Sequence, residues 1–331
     1  MEGWFVKSAT LCLNFFFLLG VVLLCLSQPG WAQSSQSESL DVGPKALTPG
    51  TVFQDCETCP RMVVVPKGQF LMGAQRGEID RSSDEGPAHI VRISVPFAVG
   101  VFEVTRAQFA EFVAETGHDT GNTCTTYHGA DLKRNAANNW RNPGFRQTDR
   151  DPVVCVSWHD AHAYVDWLSR KSGQIYRLLS ESEWEYVARA GSTSRFFFGD
   201  DLLYAELCNY ANSAGWETPF KKRGGRCRDP FTHTAPVGSF VANGFGVHDV
   251  HGNVWEMVED CYWPYYAPKA RSSFAVDTSD CAERVVRGGS WSSPLHNLRS
   301  ANRWSKDPAL RAGSTGFRVA RTILDLVAMS R

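Results

Sequence analysis

Apolar and polar positions alternate along this chain in short stretches, and only a few segments hold one period long enough to define an element. Met62-Val-Val-Val-Pro66 followed by Gly68-Gln-Phe-Leu-Met-Gly73 reads as a β-hairpin, and Ile90-Val-Arg-Ile-Ser-Val-Pro96 as a strand. Helical spacing shows in three places. Thr105 can cap a helix that puts Phe109, Phe112 and Val113 on one face and stops at Gly117. Ser157 can cap a second, with Ala161, Tyr164, Val165 and Leu168 inward and Gly173 at its end. Ser180-Glu-Ser-Glu183 is a capping box, in which Ser180 and Glu183 each satisfy a free backbone donor. The helix it opens carries Trp184, Val187 and Ala188 and ends near Gly191. Between Phe196 and Phe317, Gly, Pro or Asn breaks the pattern every few residues. Such a stretch needs ions, disulfides or buried tryptophans to stay ordered.

The longest apolar run, Leu11 to Leu26, follows Lys7 and precedes Pro29-Gly-Trp-Ala32, which offers small residues for cleavage after Ala32. Residues 1–32 therefore read as a secretory signal. The competing reading is an uncleaved anchor, for which the run sits near the lower length limit. Leu24 before Cys25 argues against a lipoprotein anchor. No later segment is apolar enough to cross a membrane, so no stable span is expected after cleavage. Residues 33–52, rich in Ser, Gln, Pro and Gly, read as a flexible linker. Residues 53–325 read as one domain, with no second linker and no internal repeat.

Composition narrows the classes. Lys and Arg total 34 against 35 Asp and Glu, a net charge of −1. That balance excludes a nucleic-acid binder driven by bulk electrostatics, and Lys221-Lys-Arg-Gly-Gly-Arg226 reads as a solvated face. Hydrophobic residues at 43% and aromatics at 12% exclude a disordered or collagen-like chain. Of ten cysteines, Cys12 and Cys25 fall in the signal, leaving eight. An even number in an exported chain suggests disulfides. Pairing nearest neighbours gives 56–59, 124–155, 208–227 and 261–281; the alternative for Cys56-Glu-Thr-Cys59 is a redox or zinc motif. The chain has no phosphate-binding Gly-rich loop, no Gly-x-Ser-x-Gly elbow and no His-Glu-x-x-His.

Longer motifs carry a family resemblance. They are Met62-Val-Val-Val-Pro-Lys-Gly-Gln-Phe-Leu-Met-Gly73, Phe102-Glu-Val-Thr-Arg-Ala-Gln-Phe109 and Pro152-Val-Val-Cys-Val-Ser-Trp-His-Asp-Ala161. Arg177-Leu-Leu-Ser-Glu-Ser-Glu-Trp-Glu-Tyr-Val-Ala-Arg189 and Gly246-Val-His-Asp-Val-His-Gly-Asn-Val-Trp-Glu256 follow. Arg287-Gly-Gly-Ser-Trp291 and Gly316-Phe-Arg-Val-Ala-Arg321 complete the series. In this order they resemble the formylglycine-generating-enzyme family, also called the sulfatase-modifying-factor domain. The resemblance implies an α+β fold with little regular secondary structure and a core similar to C-type lectins.

The same resemblance implies two structural calcium sites, one from Asn209, Tyr210, Asp229 and Phe231, the other from Asp249, Gly252, Val254 and Glu256. Carboxylates, amides and loop carbonyls are the oxygen donors calcium prefers. It further implies chemistry at the Gly-Gly-Ser-aromatic turn, where family members use a cysteine pair to hold copper(I) and convert a substrate cysteine to formylglycine. Here Ser292-Ser-Pro-Leu-His-Asn-Leu-Arg-Ser-Ala-Asn-Arg303 follows that turn. The first cysteine aligns with Ser293, and the second has no clear counterpart. A serine hydroxyl is not a copper(I) ligand at neutral pH, because that soft metal selects thiolates. Copper and sulfatase activation are therefore not expected.

Trp255 and Ser290 match positions lining the pocket, and His296 and Arg299 with Ser293 form the remaining polar cluster for ligand contact or acid–base work. His159 and His162 share one helix, and His248 and His251 bracket Asp249; either pair would need a facing carboxylate to hold iron. Two function classes follow. The first is a divergent oxidoreductase or modifying enzyme acting on a peptide or small molecule; the family includes such a periplasmic member, without the cysteine pair, in siderophore maturation. The second is a lectin-like binding module. The amino-terminal signal places the chain outside the cytoplasm, secreted or periplasmic.

Overall fold

Three helices form where local signals are strongest. Helix α1 (Arg106–Thr116) begins at Thr105, whose hydroxyl accepts from Gln108 N while the Gln108 side chain accepts from Thr105 N. Helix α2 (Trp158–Ser172) has the same reciprocal cap from Ser157 and Asp160, and α3 (Glu181–Arg189) has it from Ser180 and Glu183. Each box satisfies two backbone donors that a helix start leaves open. Left-handed residues end them: Gly117, Gly173 and Ala190. The computed structural model describes residues 47–128, 131–200, 210–211, 229–266, 275 and 281–323. These lie in a compact unit spanning 46–331. The expected signal and most of the linker fall outside the described residues, though Val52 already belongs to a strand.

Five strands build one antiparallel sheet in the order β1 (Val52–Phe53), β2 (Met62–Val65), β5 (Phe97–Gly100), β13 (Val319–Thr322) and β8 (Tyr176–Leu178). A second sheet runs β11 (Arg303–Lys306), β10 (Arg284–Arg287), β9 (Trp255–Cys261) and β12 (Thr315–Phe317), with β12 parallel to β9. Two hairpins complete the set: β3 (Gly68–Met72) with β4 (His89–Ile93), and β6 (Cys124–His128) with β7 (Asp131–Asn135). The expected pairing of 62–66 with 68–73 is not formed. β2 is occupied on both edges, by β1 and β5, and is buried throughout, so β3 must leave its plane and pair with β4. Pro66, which has no N–H to give a ladder, marks the departure. The stretch after Phe196, expected to be mostly loop, supplies the whole second sheet.

Apolar packing forms two main layers. α1 and α2 cover one, where Phe109, Tyr164, Leu168, Trp158, Trp255 and Phe317 meet. α3 covers the other, placing Trp184 and Val187 against Val63, Val99, Val258 and Val285. Disulfides 56–59, 124–155 and 261–281 are present. The reading of Cys56 and Cys59 as a bridge rather than a zinc motif therefore holds; Cys208 and Cys227 lie outside the described residues. In the chain-entropy account, the bridge closing 31 residues between Cys124 and Cys155 contributes about 3–4 kcal/mol.

A network of buried ion pairs links α3 to the loop between β3 and β4 and to the β10–β11 region. Arg299 donates to Glu78 at 2.7 Å and to Glu85, and Arg303 grips both oxygens of Glu181 at 2.6 and 2.9 Å. Glu185 accepts from Arg189 at 2.8 Å, from Gly73 N at 2.8 Å and from Arg287. Burial pushes the Glu185 carboxyl up, but the Arg189 and Arg287 guanidiniums outweigh it and hold it below the usual carboxylate range. Removing one partner of such a pair leaves a buried charge uncompensated. Arg299→Met is therefore expected to cost about 3–5 kcal/mol in urea unfolding; a loss below about 1 kcal/mol would show that the pair carries little.

Candidate functional site: the serine turn

Two glycines shape the turn after β10. Gly288 and Gly289 have φ of +90° and +74°; a Cβ on Gly289 would lie 2.7 Å from the Leu298 side chain. Ser290 follows, fully buried, then Trp291 at 2% exposure, Ser292 and the buried Ser293. Ser293 Oγ accepts from Ser290 N at 3.0 Å, and Ser293 N donates back to Ser290 O at 2.9 Å. Ser290 Oγ lies 3.1 Å from the hydroxyls of both Ser292 and Ser293. The turn thus closes on its own hydroxyls. It is tied to the loop before β9 by Trp291 N donating to Asn253 O at 2.8 Å and Gly252 N to Gly288 O at 2.9 Å.

Aromatic rings flank the turn. Trp291 Nε1 donates to Gly313 O at 3.0 Å. Its ring lies 4.6 Å from His233, 5.5 Å from Phe145 and 5.9 Å from Tyr127, all three half-buried. His233 stacks on Phe145 at 4.4 Å, and burial pushes its imidazole below the usual range. Trp255, 6% exposed, starts β9; its N donates to Ser314 O at 2.9 Å, so the 313–315 segment bridges both tryptophans. Behind the turn, His251 is buried among Phe196, Phe197 and Phe198. Its Nδ1 lies 2.7 Å from Leu298 O and its Nε2 3.2 Å from Phe197 N. A carbonyl can only accept and an N–H only donate, so the ring carries its proton on Nδ1. Burial lowers its pKa to about 3, which keeps it neutral.

The other expected polar residues lie apart. Arg299 is buried and committed to Glu78 and Glu85, with Nε donating to His296 O at 2.9 Å, so its guanidinium faces the ion-pair network. The His296 side chain is exposed. His159 is exposed, and His162 pairs with Glu259 at 2.7 Å. His248 Nδ1 lies 2.7 Å from Phe240 O. Among the described residues no three His, Cys, Asp or Glu side chains are placed to hold a metal together, and Cys56, Cys59, Cys124, Cys155, Cys261 and Cys281 are in disulfides.

For the first calcium set, Asn209 is outside the described residues, and Asp229 Oδ1 accepts from Phe231 N at 2.8 Å; Tyr210 packs on Phe198. In the second set the donors divide. Glu256 accepts two contacts from Arg318 on Oε1, and one each from Arg318 and Trp184 on Oε2, at 2.8–3.2 Å. These contacts come from three N–H donors, with Arg318 Nε reaching both oxygens, so the carboxylate is engaged with Arg318 and Trp184. Asp249 takes Gly238 N at 2.6 Å on Oδ2, and its buried Oδ1 has no N–H donor among the described residues; Gly252 and Val254 follow in the same loop. Glu103, held by Asn253 Nδ2 at 3.1 Å, leaves its buried Oε2 equally unmatched. Burial and then the facing Asp249 charge push Glu103 well up, and burial also raises Asp249. These two oxygens fit a shared cation or a shared proton. Glu103 was missed from sequence, although an acid inside the apolar Phe102-Glu-Val104 stretch is a signal in itself.

Residues 48–323 match the sulfatase-modifying factor enzyme 1-like domain. The chain belongs to this family. It is 33% identical to the formylglycine-generating enzyme of Streptomyces coelicolor over 320 residues, covering 87% of this chain and 95% of that protein. It is also similar to the inactive C-alpha-formylglycine-generating enzyme 2 of Mus musculus, at 31% identity over 79% of this chain and 85% of that one. Among solved structures, PvdO from Pseudomonas aeruginosa matches with a TM-score of 0.74 and 39% identity, over 84% of this chain and all of that one. The Treponema denticola variable protein 1 shares the fold alone, with a TM-score of 0.59 and 20% identity over 82% of this chain and 98% of that one. The α+β fold of the formylglycine-generating-enzyme family, with its C-type-lectin-like core, is thus established for this domain. Within that frame Ser293 acts as the clasp of the turn. Ser293→Ala strands the buried Ser290 N–H and is expected to cost about 1–3 kcal/mol, read by thermal unfolding together with loss of the near-ultraviolet signal of Trp291. Unchanged stability would remove the clasp role.

Proposed function

We propose that this chain is a secreted or periplasmic modifying enzyme of the family that does not convert sulfatase cysteines to formylglycine. One observation carries the reading: at the turn where the family places its first thiolate, Ser293 is engaged in closing the backbone onto Ser290. The pocket's frame is kept while its soft-metal ligands are absent, which supports a different chemistry at the same place. The disulfides and the amino-terminal apolar run support an oxidising compartment. A peptide or other small molecule would meet the half-buried wall of Tyr127, Phe145 and His233 beside the serine hydroxyls. That wall, and the similarity to an inactive relative, also favour a second reading as a binding module. Stoichiometric copper or iron in the purified protein would sink the pure binding reading. Calcium as the only metal, with no oxygen uptake and no product from any substrate of a panel, would sink the enzyme reading.

Calcium belongs to the same proposal. Asp249 Oδ1 and Glu103 Oε2, with the Gly252 and Val254 carbonyls, are the donors that would hold a structural ion. The ion would offset two buried carboxylates and tie the 249–254 loop to the segment after β5 that carries Glu103. EGTA is expected to lower the melting temperature of wild type by several degrees and to leave Asp249→Ala unmoved; equal shifts in both would discard this site.

The activity itself has a direct test. Neither wild type nor Ser293→Cys, loaded with copper(I), is expected to convert a sulfatase peptide, because the second thiolate is also missing. Formylglycine detected by mass spectrometry with either protein would overturn the reading of the pocket.

A further inference from the structure

Lys306 closes strand β11 and plays no part in the network described above. The residue is half-buried, and its amine turns inward to donate to Thr315 Oγ1, on a residue only 1% exposed. Thr315 is its one polar partner among the described residues. Its cross-strand neighbour is Arg284, a second cation, whose guanidinium lies 3.9 Å from the centre of the Trp158 ring. Like charges placed opposite each other weaken a strand pair. The acids on adjoining elements are engaged elsewhere. Glu259 of β9 bonds to His162 of α2, Glu283 accepts from Ser305, and Asp307 accepts from Ala309 N. His159 of α2 lies exposed next to Trp158. An amine here costs desolvation without an opposing charge, so packing alone would favour Met or Leu at this position.

The location suggests what the amine does. Thr315 is paired in register with Trp255, the pocket tryptophan at the start of β9. Trp255 N donates to Ser314 O, and Trp291 Nε1 donates to Gly313 O. The segment that accepts the Lys306 hydrogen bond is therefore the same one that joins the two tryptophans of the serine turn. We propose that Lys306 is the acid–base group of this pocket, taking a proton from a weakly acidic O–H or N–H of a bound substrate and returning it after reaction. The transfer balances with no further reactant: the amine becomes ammonium as the substrate becomes its conjugate base, and the reverse step restores both. The inference rests on the serine-turn pocket being the functional site.

Burial lowers the amine to about 8, from 10.5. The folded chain then binds fewer protons than the unfolded one between those values, so this group's penalty to stability eases as pH rises through the window. The neutral form, which alone can accept a proton, is accessible at mildly alkaline pH.

Trace acetylation of the full chain with acetic anhydride, followed across pH 6–11 by peptide mass spectrometry, tests both the amine and its place. In wild type, Lys306 is expected to reach half its limiting rate near pH 8, against about 10.4 for an ordinary lysine. In Ser292→Cys alkylated with N-ethylmaleimide, the added bulk is expected to slow Lys306 at least tenfold while exposed Lys67 reacts unchanged as the rate standard, and an unaltered near-ultraviolet circular dichroism spectrum shows that the variant is folded. A half-point at the ordinary value, or no reaction in the folded protein, would overturn the proposal. A half-point near 8 with a rate blind to the adduct would also overturn it, by removing Lys306 from the pocket while leaving the pocket reading standing. Failure of that pocket reading shows instead in the metal and peptide assays, which do not depend on Lys306.

Discussion

Guanidinium–carboxylate pairing inside the domain is the interaction on which the rest depends. Arg189, Arg287, Arg299 and Arg303 meet Glu78, Glu85, Glu181 and Glu185 in a buried network. Its members come from the loop between β3 and β4, from α3, and from the strands and turn between β10 and β11. Ladder hydrogen bonds join β10 to β11 but cannot reach α3 or the loop between β3 and β4. Planar guanidiniums can, since each offers five donors in a fixed fork and reaches carbonyls as well as carboxylates. Arg303, for example, also holds Asp84 O and Trp263 O at 2.9 and 3.0 Å. Removing these charges from water is costly, and the network is stable only because nearly every lone pair and donor is matched.

The serine turn hangs from this network. Arg287 immediately precedes Gly288, and Arg299 and Arg303 follow the turn, so both of its ends are anchored by buried charges. Between the anchors, the turn closes with hydroxyls where its relatives' chemistry would require thiolates. A hydroxyl trio at 3.1 Å spacing can shape a pocket and orient a ligand, but it cannot hold a soft redox metal.

How much was legible in the sequence follows the range of each interaction. The three capped helices were readable because a capping box involves residues three apart, and the disulfides at 56–59, 124–155 and 261–281 follow neighbour pairing. Partner choice among strands was not: 62–66 and 68–73 look like a hairpin locally, yet β2 is enclosed by β1 and β5. Arg299 looked like a ligand-contact residue because its partners Glu78 and Glu85 lie more than two hundred positions earlier, a separation no local pattern reveals. Lys306 is notable only once its single hydroxyl partner is seen, whereas Glu103 carries a local signal, an acid in an apolar stretch, whose meaning emerges only with its unmatched oxygen.

The dependence of the turn on the network is open to direct measurement. Hydrogen exchange at the Trp291 and Ser293 amides, which donate to Asn253 O and Ser290 O, can be compared between wild type and Arg287→Met under conditions where both are folded. The account predicts at least tenfold faster exchange at these two amides in the variant, with the amides of α2 unchanged. Unaltered exchange at the turn, despite loss of the guanidinium, would contradict it.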